Sequence, residues 1–305
     1  MIVVVGESLV DVAPDGSASV GGSPLNVAVG LARLDVPVVL VTELGTDERA
    51  AAVEHHVLEA GVELEATTTP GGRTATALVT YDEGEPAYEL DLTWDLPHRT
   101  LPECDALHVG SLACVLEPGR TSVLDLVEQA WALDVFLSYD PNLRAGWLTE
   151  HDHAQAWHDV ESLADRAHLV KLSEQDVELL HPGADPAEVA HALLSGDRTE
   201  LVILTRGAAG ASAFTATAEA HVAAPATEVV DTVGAGDTFT AAVLAVLFEQ
   251  GAFGSYAGGL PTEVGALEDL LGAAVTAAAL SCRSRGAAMP SRSALPPGWP
   301  GPRGD

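Results

Sequence analysis

Asp231-Thr232-Val233-Gly234-Ala235-Gly236-Asp237-Thr238-Phe239 runs directly into an apolar segment over residues 240–248, and its reading decides the fold. Two glycines around one alanine let the backbone curl tightly, and the residues that follow carry a helical face of Thr238, Ala241, Ala242 and Ala245. The pattern predicts a tight turn at a helix N-terminus. The N–H groups of Gly234, Ala235 and Gly236 would have no intrahelical partner there, and the helix dipole favours negative charge, so the turn suits a phosphate oxygen. Asp237 adds a carboxylate beside that anion site. Simple phosphate binding has no use for it, whereas transfer of a phosphoryl group to a hydroxyl needs a group that accepts the hydroxyl's proton. On spacing alone, the same residues also read as an ordinary turn followed by an ordinary acidic first-turn residue.

Upstream lies a second glycine pair, Gly21-Gly22-Ser23-Pro24-Leu25-Asn26-Val27-Ala28. The nonapeptide closely resembles the C-terminal signature of the PfkB (ribokinase-like) family of carbohydrate kinases, and the glycine-pair segment is similar to that family's N-terminal signature. The two stand in the family's order, roughly 200 residues apart, and the resemblance covers residues 1–290. It implies an α/β fold of three layers, α/β/α, on a mostly parallel sheet, with a small β-sheet lid formed by about 12–22 and 67–97. It also implies that Asp11, Gly21, Gly22 and Asn26 bind the sugar and that Asp237 is the base beside the Gly234, Ala235 and Gly236 anion hole. ATP, Mg²⁺ and potassium are the cofactors it implies, with Asp231 matching one ligand position for the monovalent cation.

Composition narrows the partners. The 305 residues carry 45 acidic and 14 basic side chains, a formal net charge of −31, which argues against nucleic acid or an anionic membrane and suits a soluble protein, in a salty cytoplasm for instance. Lys171 is the single lysine. The cysteines Cys104, Cys114 and Cys282 are odd in number and lack a CxxC spacing, so neither a disulfide framework nor a zinc site is expected and the expected compartment is a reducing cytoplasm. No basic segment precedes the short apolar start, and no apolar run reaches the length of a membrane span.

Along the chain, residues 2–5 form a β-branched run closed by Gly6, the mark of a buried parallel strand, and Asp11 follows at the strand's C-terminal edge, where open α/β sheets bind ligands. Pro24 suits the first turn of a helix over 25–34 with Asn26 near its start. Residues 74–81 and 86–92 alternate in the strand period around Asp82-Glu83-Gly84-Glu85, a hairpin that matches the lid. Between Ala75 and Pro97 it carries Asp82, Glu83, Glu85, Glu89, Asp91 and Asp95 and no Lys or Arg, a charge poorly suited to a sugar phosphate. The resemblance also leaves room for a homodimer formed through this lid.

Beyond it, strands at 106–109, 135–139, 168–172 and 201–205 alternate with helices near 121–131, 154–163 and 173–180, a βαβ rhythm that predicts helices on both faces of a parallel sheet. Asp140-Pro141-Asn142-Leu143-Arg144 resembles a pattern of the fructokinase-like branches, in which Asn142 and Arg144 would lie beside the transferred phosphoryl group. Lys171, Ser173 and Asp176 fall where the family carries its Asn-x-x-Glu motif, with Ser for Asn and Asp for Glu. Lys171 and Ser173 would face ATP, and the shorter acid Asp176 would reach magnesium through water; Ser173 reads equally as a helix N-cap. Thr205, Gly207 and Gly210 match a Thr-x-Gly-x-x-Gly segment against ATP, with Gly236 closing the phosphate side. A helix over 267–282 and the loop 285–288 would wall the adenine. The Pro- and Gly-rich segment 291–305 is expected to be disordered.

These residues point to ATP-dependent phosphorylation of a hydroxymethyl group on a small neutral sugar, fructose first among them. 2-Keto-3-deoxygluconate, ribose and a nucleoside remain alternative acceptors. A non-catalytic sugar or nucleotide sensor on the same fold is the alternative of another class, although a sensor would not need Asp237.

Overall fold

The structure, a computed structural model, describes residues 1–82, 85–143, 153–196, 198–253 and 259–299. Ile2–Val5 (β1) is fully buried, as a β-branched run with both faces covered should be. It sits inside a nine-stranded sheet with Val38–Leu44 (β4) and Ala106–Gly110 (β8) on either side, both parallel to it, in the register Ile2↔Val38 and Ile2↔Ala106. Glu63–Thr68 (β5) closes the sheet beyond β4. On the other side follow Phe136–Asp140 (β9), Leu169–Ser173 (β10) and Leu201–Thr205 (β11), all parallel, and then the antiparallel pair Ala211–Phe214 (β12) and Glu219–Val222 (β13). Every parallel strand therefore ends at the same edge of the sheet.

Strand alternation divides the core in two. Ile2, Val4, Leu40, Ala106, Leu169 and Ile203 face the helices Ser23–Arg33 (α1), Glu48–Glu59 (α2), Ala235–Glu249 (α7) and Val264–Ser281 (α8). Val3, Val5, Val39, Val109 and Val202 face Gly119–Ala132 (α3), His153–Ala164 (α4), Glu174–Leu180 (α5) and Pro186–Leu193 (α6). Helix α8 has the length and apolarity of a membrane span, but it packs on α7, β12 and β13 with Leu267, Leu270 and Leu271 buried, as a core helix does.

A second sheet, of four strands, has the order Ala18–Gly21 (β3), Leu9–Val12 (β2), Ala75–Asp82 (β6) and Glu85–Asp91 (β7). It begins earlier than the expected 12–22, since β2 leaves β1 after only three residues, and residues 67–68 belong to β5 of the large sheet instead. Two carboxylates tie it down. Asp47, the N-cap of α2, accepts Ala50 N–H and both the N–H and the hydroxyl of Thr74. Glu43 at the end of β4 accepts Asp95 N–H.

The C-terminal segment corrects the expected disorder as far as it is described. Leu295 and Trp299 are 6% and 9% exposed, Trp299 Nε1 donates to Ala273 O at 3.1 Å, and Arg292 pairs with Glu249 while lying over the Trp299 ring. A Pro- and Gly-rich segment cannot build a helix, but one indole with a partner for its N–H is enough to fasten it across α7 and α8. Residues 300–305 lie outside the described residues.

Candidate active site

The site forms at the C-terminal edge of the large sheet, where α1 and α7 converge. Helix α1 starts from Gly22, whose φ of 108° and close approach to Glu7 require glycine: a Cβ there would stand 2.6 Å from Glu7 O. Helix α7 starts from Gly234, at φ 75°, where a Cβ would meet Ala287 at 2.7 Å. The helices touch at Gly30, where a Cβ would come within 2.6 Å of Ala241 Cβ. That contact brings their N-terminal turns together. Asn26 Nδ2 donates to Asp237 Oδ2 at 2.8 Å, and Ser23 Oγ donates to Asp237 Oδ1 at 2.7 Å. Asn142, in the loop after β9 and in the left-handed region at φ 42°, donates to Ser23 Oγ at 2.6 Å and to Asp237 Oδ1 at 3.2 Å. Asp237 and Asn26 are each 6% exposed.

Beside Asp237 the tight turn at the helix start is present, with one difference from the expectation. Ala235 N–H closes a long turn onto Thr232 O at 3.2 Å, so it is partly engaged. Among the described residues, the N–H groups of Gly234 and Gly236 have no hydrogen-bond partner in the chain. These two donors stand at the positive end of a 15-residue helix, where negative charge is favoured. Segment 286–289 holds the turn from behind: Asp231 accepts Val233 N–H at 3.1 Å and Gly286 N–H at 2.9 Å, Thr238 Oγ1 lies 2.9 Å from both Gly234 O and Met289 Sδ, and Arg33 donates to Met289 O.

Beneath the turn lies a buried polar row. Lys171 Nζ is 3.0 Å from Asp140 Oδ2 and would be 3.5 Å from a Cβ on Gly236, and Thr240 Oγ1 donates to Asp140 Oδ2 at 3.0 Å. Burial pushes the Asp140 carboxyl up to about 6 against the pull of Lys171. Burial also works against the Lys171 charge, yet Asp140, Asp176 and Asp237 outweigh it and lift the ammonium above its ordinary value, so the pair is ionised at neutral pH. Next along the row, His108 rests on Ser138 Oγ at 3.1 Å and is pushed by burial down to about 3, a neutral ring. Lys171, expected to face ATP phosphate, is 4% exposed and stands beneath the glycine turn, next to Gly236. The β10 alternation turns Lys171 to the α7 side, where Asp140 on the neighbouring strand meets it.

Asp176 also departs from expectation. Its Oδ2 accepts Ser173 N–H and Ser173 Oγ–H while Ser173 Oγ accepts Asp176 N–H, a complete capping box for α5, and its Oδ1 accepts Leu143 N–H. A carboxylate spent on three donors and 2% exposed is not a metal ligand in waiting; its work is to hold the loop that presents Asn142. No group of three or more His, Cys, Asp or Glu among the described residues could hold a metal ion.

On the remaining flanks, Asp11 lies on β2 opposite Ser19, so close to Gly21 that a Cβ there would meet Asp11 Oδ2 at 2.4 Å. Thr205 Oγ1 donates to Leu172 O at 3.2 Å, and Gly207 and Gly210, at φ 53° and 96°, bracket a tight turn at the end of β11. Arg144 lies outside the described residues. Sequence reasoning passed over Ser23, Asp140 and Glu7. Glu7, 2% exposed, accepts Ala113 N–H and bonds Ser111, and burial pushes its carboxyl up to about 7. A carboxylate directly after a buried strand, between Gly6 and a second polar residue, is the signal that could have marked it.

Residues 2–294 match the pfkB family of carbohydrate kinases. A fructokinase of Salmonella typhimurium is 31% identical over 300 residues, covering 93% of this chain and 94% of that protein. The structure of a fructokinase from Vibrio cholerae O395, in its fructose, ADP and calcium ion bound form, superposes with a TM-score of 0.80 at 26% identity, over 97% of this chain and 95% of that one. The ATP-bound fructokinase of Xylella fastidiosa gives 0.82 at 24% identity, over 97% and 94%.

Proposed function

Because the chain belongs to the pfkB family of carbohydrate kinases, we propose that it transfers the γ-phosphoryl group of ATP to a hydroxymethyl group of fructose. The observation that carries this reading is the placement of a buried carboxylate, Asp237, within one helical turn of two backbone N–H groups that have no partner among the described residues. Asn26 and Asp11 orient the sugar beneath the four-stranded sheet. Asp237 accepts the hydrogen bond of the attacking hydroxyl and takes its proton late, once bonding to phosphorus has made that hydroxyl acidic. Gly234 and Gly236 N–H, with the Lys171 charge behind them, hold the γ-phosphoryl oxygens as charge shifts toward the leaving ADP.

Thr205, Gly207 and Gly210 on one side and the helix over 267–282 with the loop 285–288 on the other border the nucleotide, and Arg144 would add a planar clamp on its phosphates. Magnesium, which neutralises phosphate charge when bound, would arrive on the nucleotide itself, since Asp176 is committed elsewhere. Asp231, between two loops with a spare lone pair on each oxygen, is the residue that would hold a monovalent cation. The four-stranded sheet acts as a lid and supplies a homodimer contact, and the three free cysteines suit a reducing cytoplasm. The test is ATP consumption by purified protein over neutral ketoses, aldoses, sugar acids and nucleosides. Fructose should give the highest kcat/KM, and a sugar acid or nucleoside surpassing it would overturn the choice of acceptor.

A further inference from the structure

The hydrogen bonds on Asp237 are distributed unevenly. An ionised carboxylate only accepts, and each of its oxygens takes two donors. Oδ1 has both, Ser23 Oγ–H at 2.7 Å and Asn142 Nδ2–H at 3.2 Å. Oδ2 has one, Asn26 Nδ2–H at 2.8 Å. Because Asp237 cannot donate, the Ser23 proton must point at it, which leaves the Ser23 lone pairs to receive Asn142 at 2.6 Å. Ser23 thus sits on the base as an attacking alcohol would, with its O–H donated to the carboxylate. It is fixed there by its position as the first residue of α1, with Pro24 next to it.

We infer that Ser23 is a specificity-determining residue that closes Oδ1 of Asp237 to water, so that only an acceptor presented at Oδ2 can be deprotonated. This rests on the reading of Asp237 as the base. Two reactions compete at such a base. In the kinase reaction the sugar oxygen bonds to the γ-phosphorus, the bond from that phosphorus to the β-phosphate bridging oxygen breaks, and the sugar's proton passes to Asp237. In the wasteful one a water oxygen takes the sugar's part, its proton passes to Asp237, and ADP and phosphate leave. The sugar is held by several hydroxyls and can be delivered to one oxygen. Water has no such anchor, and with Oδ1 closed the one open position is the one that bound sugar fills.

Ser23→Ala removes one donor from Oδ1 and opens a space that a water fits. The measurement is ATP turnover at saturating fructose, as the ratio of free phosphate released to sugar phosphate formed. That ratio should rise about tenfold or more in Ser23→Ala, the scale of one lost charge-assisted hydrogen bond, with fructose KM changed by less than about threefold. Ser23→Thr, which keeps the hydroxyl, should restore the wild-type ratio, and Ser23→Cys, a weak donor, should fall between. A purely structural role for Ser23 would lower both activities together, so an unchanged ratio in Ser23→Ala with wild-type melting overturns the inference. The same holds if Ser23→Ala melts early while Ser23→Cys keeps the wild-type fold and ratio. Asp237→Asn separates this from the reading beneath it: if Asp237→Asn keeps full kinase turnover the base itself is misassigned, whereas if it loses turnover and the Ser23 ratio stays flat, only the role of Ser23 fails.

Discussion

The two sheets of this molecule solve the same problem with unequal means. The nine-stranded sheet has an extended apolar core on each face. Among the described residues, the four-stranded sheet has a core of its own of Leu9, Ala75 and Ala77, with Leu92 beside them, and leaves Leu78 and Leu90 39% and 38% exposed. At its root Val10 joins the main core, with Val12 and Val20 partly buried against it. Ordering a residue costs roughly 1–2 kcal/mol of backbone entropy, and three small buried side chains offset little of that over four strands. The large sheet is therefore ordered by its own packing, while the small one depends on whatever closes against it. Groups that must hold position, Asp237 and the glycine turn, ride on the first. Asp11, proposed to meet the acceptor, rides on the second.

Breaking the fixed half should have the largest effect. Asp237→Asn keeps the shape and removes the proton acceptor, so kcat should fall about 10²–10⁴-fold with ATP affinity kept, by steady-state kinetics and calorimetry. Retention of more than about a tenth of wild-type kcat would contradict its role. On the movable half, Asp11→Ala should cost roughly 10- to 1,000-fold in kcat/KM for fructose, the worth of a charge-assisted hydrogen bond plus misplacement, again with ATP binding kept. If ATP affinity fell instead, the two halves would have been assigned the wrong ligands.

At the junction between the sheets, Glu7 offers a smaller effect with a definite sign. Its carboxyl is raised from 4.5 to about 7 by burial, so the folded protein holds that proton more tightly than the unfolded chain does. Glu7 therefore weighs against folding above about pH 7, and the handicap fades as pH falls from about 7 to about 4.5. Glu7→Gln should stabilise the protein at pH 8 by up to about 3 kcal/mol, with the gain closing toward pH 4.5 in urea melts. A constant difference across that range would show that Glu7 does not titrate there. The mildest test perturbs nothing covalently. Amide exchange in β6 and β7 should slow when fructose and a non-hydrolysable nucleotide are added, while β1 and β8 stay protected throughout. Equal protection of both sheets in the free protein would erase the contrast.

Much of this was legible in the sequence, and what was not has a common cause. Runs such as Ile2–Val5 and Leu201–Thr205 announce themselves because a strand buried on both faces must be apolar throughout. The strands Leu9–Val12 and Ala18–Gly21, and the mostly half-exposed Glu63–Thr68, carry too little apolar signal to be read without their neighbours. In the site, glycine patterns located the turns at Gly22 and Gly234 from which α1 and α7 start. Asp176 invited a metal because an acid near a phosphate site reads that way, yet Ser173-x-x-Asp176 is also a capping box, and only the position of Leu143 N–H decides between them. Ser23 and Asn142 meet on Asp237 across 214 and 95 residues of chain, a distance over which local pattern says nothing.

The single lysine has one more consequence. Fructose is a reducing ketose, and ketoses condense slowly with exposed, unprotonated amines to give glycated protein. Lys171 is 4% exposed and held in its ammonium form by Asp140, so the chain presents no lysine side chain to the sugar it is proposed to use. Side-chain damage from prolonged contact with fructose should then leave Lys171 unmodified in peptide mass spectra of the folded protein, and unfolding should be needed before that amine reacts.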